Sequence, residues 1–407
     1  MEVASYETNP GLLKLALYCE GMRLSVSAME NLKEGRQLMR TRAGLGSGLE
    51  LVLPHNLWTN VPVKEHFCKD SAFELDCKGD QFFIAHDQGA NVPVTLAPRP
   101  DWYDAQCTTG KLMRHVGSLQ GTYLGIYPTD VCEFWRKDVS ENCRYCSIGL
   151  NLGSQDAEKK TLQEILEVVL RARSESHITY VDFNTGHYED ESYLDRLEPI
   201  LDAVKKATGL LVGVQTPPHH DWQRYNRLMD LGVNRVSFCF ELFDQQRFQT
   251  VCPGKHRFYG LDHYLKTMDY CANLGAKQRL TEPWVTNGEM IAGLEEPEST
   301  IAGIDRITSV GAIPTVCVFR PLSGTPMADL MPPKTEAMVP VFKHLFEACV
   351  RHNLPIGLAP NIHVSLVMLP EECSWFSDVP HRWFQAKNYV KHKAFSYILK
   401  RKLARFA

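Results

Sequence analysis

From about residue 120 to residue 370, short apolar runs alternate with amphipathic helical segments, and this alternation restricts the fold more than any other feature of the chain. The runs are Thr122–Tyr127, Ile178–Phe183, Leu210–Gln215, Arg235–Phe240, Met290–Ala292, Ile313–Phe319 and Ile356–Leu358. Their length and their β-branched and aromatic content read as strands. Between them Thr161-Leu-Gln-Glu164 spells a capping box, with Leu162, Ile165, Leu166, Val169 and Leu170 expected as one buried stripe. Leu194, Leu197, Leu201 and Val204 mark the next helix, and Tyr264, Met268 and Cys271 a later one. Strands and helices in this order imply βαβ units, hence parallel strands joined by right-handed crossovers. At least six repeats suit an α/β chain with a partial or full (β/α) barrel better than a three-unit nucleotide fold. Chemistry in such a barrel sits at the C-terminal ends of the strands.

Two regions flank the barrel. Residues 1–115 read as a smaller mixed α+β N-terminal domain, with a helix over Leu12–Tyr18 and strands at Leu49–Leu53 and Gln81–Ala85. Prolines in Leu96-Ala-Pro-Arg-Pro-Asp-Trp-Tyr break regular structure near its end. Residues 116–370 form the expected barrel. Residues 371–407 form a C-terminal extension, with a basic helix from Trp383 to Ala407 expected to be solvated.

Charge and cysteine usage narrow the setting. With 44 Lys and Arg against 48 Asp and Glu, bulk positive charge for nucleic-acid binding is missing, and no nucleic acid is expected as a partner. Apolar stretches such as Val364–Leu369 fall far short of the roughly 18 residues that span a bilayer. The start, Met1-Glu-Val-Ala-Ser-Tyr-Glu, lacks the basic and apolar regions of a signal peptide. Thirteen cysteines, an odd number, argue against a disulfide framework. The expectation is a soluble protein of the reducing cytoplasm, without a membrane partner.

Three cysteines depart from the role of buried packing residue. Cys132-Glu-Phe-Trp-Arg-Lys-Asp-Val-Ser-Glu-Asn-Cys143-Arg-Tyr-Cys146 follows the first barrel strand, on a loop that opens over the mouth. Three thiolates suit iron–sulfur or zinc. A structural zinc site takes four protein ligands, usually as paired knuckles. This chain has one Cys-x-x-Cys, so a zinc-stabilised scaffold needs a fourth donor such as His115 or Cys107. A four-iron cluster held by three cysteines instead keeps one iron open for a ligand.

At these residues the chain resembles the radical S-adenosylmethionine (radical SAM) superfamily, whose [4Fe-4S] cluster is held by C-x3-C-x2-C after the first barrel strand. Tyr145 stands where the superfamily has an aromatic residue, while ten residues separate Cys132 from Cys143 instead of three. The resemblance covers roughly 120–370 and is closest in kind to biotin-synthase-like barrels. The stretch from Leu96 to Cys146-Ser-Ile-Gly also resembles a radical SAM family found beside nitrilase genes.

The resemblance implies a reaction and a set of contacts. Cys132, Cys143 and Cys146 would hold the cluster, and SAM would chelate its open iron. One-electron reduction, from a donor such as flavodoxin or ferredoxin, would yield methionine and a 5′-deoxyadenosyl radical that takes hydrogen from a small organic substrate. Asn184, Thr185 and Gly186 fall where the superfamily binds the SAM amino group, in place of the usual Gly-Gly-Glu. Glu241, in Ser237-Phe-Cys-Phe-Glu241, is placed to meet the ribose or amino-acid part, and Lys255 to pair with the carboxylate. Ile291 and Gly293, in Ile291-Ala-Gly293-Leu-Glu-Glu296, resemble the segment near the adenine. Phe319-Arg-Pro-Leu-Ser-Gly-Thr325-Pro resembles the sixth-strand end. A barrel that carries a cluster for electron transfer alone is the other reading.

Other features invite weaker readings. Cys239 shares a strand face with Glu241, and Cys317 lies on another strand, so the two could serve a second cluster within the barrel. Cys373 could donate hydrogen to a substrate radical. Gly44-Leu-Gly46-Ser-Gly48 leads into a strand and so fails as a dinucleotide loop. His219-His220 reads as a turn, and Glu189-Asp190-Glu191 as acids favoured by a helix N-terminus. No Asp-x-His-x-x-Gly cobalamin signature occurs.

Overall fold

The computed structural model describes residues 4–32, 39–40, 47–137, 139–275 and 282–406. Two seven-stranded sheets form the frame. The first is built from β1 (Arg23–Leu24), β2 (Met39–Arg40), β3 (Ser47–Leu53), β4 (Leu57–Pro62), β5 (Phe73–Lys78), β6 (Gln81–His86) and β7 (Asn91–Leu96). Its strands run in the order β1-β5-β6-β7-β3-β2, with β4 on β3, and all pairs but β1–β5 are antiparallel. Alternate residues of β7 are buried and exposed, so the sheet turns one face to water. Gly44 and Gly46 lie outside the described residues, while Gly48 of β3 pairs with both Met39 and Pro62.

The second sheet holds β8 (Ser118–Leu119), β9 (Leu124–Ile126), β10 (Tyr180–Asn184), β11 (Leu211–Gln215), β12 (Arg235–Glu241), β13 (Val285–Ala292) and β14 (Ile313–Val318). From β9 to β14 every neighbouring pair is parallel, in chain order, and β8 adds an antiparallel edge. The longer helices are α1 (Pro10–Glu20), α2 (Leu162–Ser176), α3 (Tyr193–Thr208), α4 (Gln223–Asp230), α5 (Gly260–Gly275), α6 (Pro297–Ser309), α7 (Thr335–Arg351) and α8 (Arg382–Leu403). Both bonds of the Thr161–Glu164 capping box are present at the start of α2. Its buried stripe is Ile165, Val168, Val169 and Ala172, whereas Leu162 and Leu170 are 40% and 45% exposed. A 3.6-residue period gathers those four into one arc and carries Leu170 to the far side.

The sheet is open, and three elements complete its enclosure. Inward residues of every strand from β9 to β14 line one cavity, so the sheet curls into a partial barrel. The expected strand at Ile356–Leu358 is a turn instead, because Pro355 precedes it and Gly357 holds φ at +68°. The chain after it spans the gap between the edges: Met368 bridges Val316 of β14, and Thr122 N donates to the His363 carbonyl at 3.0 Å. At the other end of the strands, Phe395, Leu399 and Leu403 of α8 pack on Tyr123, Tyr180 and Leu211, closing the floor. The basic helix is thus a structural cover.

The first sheet braces the closing segment. Tyr18 OH donates to the Ser365 carbonyl at 2.6 Å, and Lys14 pairs with Glu372 at 2.7 Å with its side chain wholly buried. Glu50 of β3 accepts Gly121 N at 3.0 Å and the Ser365 hydroxyl. One apolar core runs from α1 and the first sheet into α7 and the outer face of β14.

Candidate active site at the barrel mouth

The register of β10 to β12 brings Asn184 beside Gln215 and Gln215 beside Ser237, so their C-terminal ends share one rim. The rim surrounds a cavity of about 880 Å³. Of the residues named from the sequence, Cys132, Cys143, Tyr145, Cys146, Asn184, Thr185, Gly186, Glu241, Lys255 and Ile291 line it. Gly293 does not: it turns the chain at φ +94° against Pro333. Arg320 also points elsewhere, donating to the Asn60 carbonyl at 2.9 Å and covering the Tyr18 ring.

Local bonds set each thiol. His187 N donates to Cys132 Sγ at 3.3 Å, and Glu133 N bonds the His187 carbonyl, so the loop after β9 is stitched to the loop after β10. The His187 ring stacks on Phe134 and bonds the Tyr259 hydroxyl at 2.7 Å. Cys143 to Cys146 form a tight turn closed by Cys146 N on the Cys143 carbonyl, and Arg144 N ties it to Val251. Two glycines permit this approach. A Cβ at Gly186 would lie 2.4 Å from the Cys132 Cβ, and one at Gly254 would lie 2.7 Å from the Glu141 carbonyl.

The three sulfurs differ in charge. Burial pushes Cys132 up to about 11 and raises Cys146 further. Cys143 falls to about 7, first through a hydrogen bond from the Cys252 thiol and then through the nearby Lys255 ammonium. Cys252 is fully buried and stands behind Cys143, off the cavity wall. Spacing alone did not single it out, since nothing in Cys252-Pro-Gly-Lys shows which loop it packs on. Lys255 donates to Glu241 at 2.7 Å and to the Cys239 carbonyl at 2.6 Å. A bulge between Cys239 and Glu241 turns the Glu241 backbone to φ +72°, a strained value for a residue with a side chain.

The chemistry of this donor set suits an iron–sulfur cluster: burial favours the neutral thiol, a bound metal would stabilise the thiolates, and here three thiols share one wall. The two fourth donors named from the sequence are misplaced for zinc: Cys107 lies near Glu164 and Glu167, His115 near Asp156 and Lys160, and neither lines the cavity. Cys239 and Cys317 do line it. Cys373 instead lies in the core shared with the first sheet, its Sγ on the Leu369 carbonyl at 3.3 Å, and does not line the cavity.

Below the rim lies a polar belt that the sequence reading passed over. Arg235 donates to Asp182 at 3.1 Å and to Glu289 at 2.6 Å, Gln215 links Glu289 to Asn184, and Ser237 also bonds Glu289. Asp182 and Arg235 stood in recognised strands, and their inward parity was available. Glu289 was hidden because β13 begins at Val285, where Thr286, Asn287 and Glu289 interrupt the apolar run. The His219-His220 pair is a turn, as expected, with His220 bonded to Glu191.

Comparison with known proteins agrees with this geometry. Residues 140–304 match the radical SAM superfamily model, which includes Cys143 and Cys146 and starts just past Cys132. A curated relative, the bacteriochlorophyllide c C-7(1)-hydroxylase of Chlorobaculum limnaeum, is 22% identical over 136 residues. That alignment covers 33% of each protein, so the chain spans about a third of the relative's length. Among solved structures, HydG, a maturase of the [FeFe]-hydrogenase, aligns at 15% identity and TM-score 0.43, covering 56% of this chain and 49% of that one. Methylornithine synthase (PylB) aligns at 14% identity and TM-score 0.40, covering 67% and 82%. The likeness that these comparisons establish is thus to the radical SAM superfamily, over residues 140–304.

Proposed function

We propose that this chain is a radical SAM enzyme whose cluster ligands are Cys132, Cys143 and Cys146. The observation that carries the reading is that these three thiols and Tyr145 share one wall at the C-terminal rim of a curled parallel sheet. A [4Fe-4S] cluster held by these three cysteines would supply the electron for reductive cleavage of SAM.

The protein's own residues do the rest. Cys143, already low in pKa, is the thiolate formed at least cost. The Lys255–Glu241 pair offers a cation and an anion at the rim, matching the zwitterionic end of SAM. Asn184, Thr185 and Gly186 present amide and hydroxyl groups to the amino end, and Ile291 gives the adenine an apolar wall beside the Gly293 turn. The closing segment and α8 keep water from a radical that would otherwise be quenched. A flavodoxin or ferredoxin supplies the electron, and the substrate is a small organic molecule.

Anaerobic purification is expected to give a brown protein with about four irons, and dithionite with SAM should release 5′-deoxyadenosine. Cys132→Ala, Cys143→Ala and Cys146→Ala should each abolish that release. A colourless protein containing one zinc would overturn the reading. The position of Cys252 beside Cys143 favours one rival, a four-thiolate site that carries electrons or braces the fold. Under the proposal Cys252→Ala keeps the cluster and the cleavage; under the rival it loses the metal.

A further inference from the structure

The belt beneath the rim carries more negative charge than its own cation balances. Asp182 and Glu289 share one guanidinium, that of Arg235, whose remaining nitrogen is used by Asn287 at 3.0 Å. Both carboxylates sit in side chains at least nine-tenths buried. Each spends one oxygen on the network. Asp182 Oδ1 takes Tyr180 and Arg235, and Glu289 Oε1 takes Gln215, Arg235 and Ser237.

The second oxygens are different. Glu289 Oε2 accepts only the weak Cys239 thiol at 3.2 Å, and Asp182 Oδ2 accepts nothing, among the described residues. Both residues line the cavity. A buried carboxylate without a matching cation is costly, and an enclosed wall of low polarity makes it more so. Gly213 leaves room for the Tyr180–Asp182 pair, since a Cβ there would meet the Tyr180 hydroxyl at 1.8 Å and Asp182 Oδ1 at 2.6 Å.

We propose that Asp182 Oδ2 and Glu289 Oε2 bind the ammonium of an organic amine, which is the substrate class of this enzyme. The assignment rests on the radical SAM reading for the reaction, although not for the binding. Register places Glu289 opposite Cys239, two residues below Glu241, so the ammonium is held about 7 Å beneath the rim. Below the belt the wall turns apolar, with Leu211, Val285, Ile313, Ile362 and Phe395. That surface accepts an aliphatic body. Arg235 does not select a carboxylate ligand, because Asp182, Glu289 and Asn287 already occupy its nitrogens.

The test compares hexylamine, hexanol and hexanoate by calorimetric titration of the anaerobically purified holoprotein. Hexylamine should bind at least tenfold more tightly than hexanol, and hexanoate more weakly than either. Asp182→Asn and Glu289→Gln, both near-isosteric, should each erase most of the amine preference while leaving hexanol binding within twofold. If Glu289→Gln fails to fold, Asp182→Asn carries the same readout. Equal binding of all three probes, a preference for hexanoate, or no binding up to 50 mM overturns the assignment. A protein that prefers hexylamine yet releases no 5′-deoxyadenosine refutes the radical reading alone. One that releases it while indifferent to the amine refutes the substrate class alone.

Discussion

The two sheets have the same number of strands and opposite uses of them. In the first, antiparallel neighbours alternate buried and exposed residues, and the buried face is spent on packing and on bracing the chain beside it. In the second, β10 and β11 are covered on both faces, and the inward face encloses space instead of filling it. An enclosed inward face can carry Asp182, Arg235 and Glu289 where a packed one could not. Chemistry therefore collects on the curled sheet, and rigidity is supplied by the other.

That division can be broken from the bracing side. Lys14→Met removes one partner of a buried pair and strands Glu372, so unfolding by urea should show a loss of about 3–5 kcal/mol. Activity per folded molecule should stay within twofold, since the Lys14 ammonium bonds Glu372 and the Val364 carbonyl rather than the rim. Loss of iron binding without loss of stability would show that the first sheet does more than brace.

A pH titration sharpens the same contrast. Burial between the sheets pushes Glu50 up to about 7, and it pushes Glu371 of the closing segment to about 7 as well. An acid with a raised pKa holds a proton in the folded state that the unfolded chain has released. Its contribution is intact below about 4.5 and is lost as pH rises toward 7. Thermal stability should fall over that window, and Glu50→Gln should make the slope shallower by at most about 1.4 kcal/mol per pH unit. The smallest effect belongs to the barrel's periphery. Thr161→Ala, which deletes the α2 cap far from the brace, should cost about 1 kcal/mol in the same urea experiment.

Legibility in the sequence followed the range of the signal. The capping box, the α3 and α5 stripes and five of the barrel strands rest on residues a few positions apart, and periodicity finds them. The cysteine loop was legible because three reactive side chains crowd into a short stretch. The turn at 355–358 was misread because its apolar residues serve as cavity lining, where strand and turn present the same composition. Glu289 and Cys252 depended on which strands become neighbours, and spacing in one dimension does not carry that information. The brace from α1 to the closing segment was invisible for the same reason.

The Lys14–Glu372 pair joins residues 358 positions apart, and this ordering reaches into biosynthesis. A chain emerging from the ribosome presents Cys132, Cys143 and Cys146 long before residue 372, while Lys14 waits in water for its counterion. The barrel thus has a missing side throughout most of translation, and the wall is pinned from behind only after nearly the whole chain has been made.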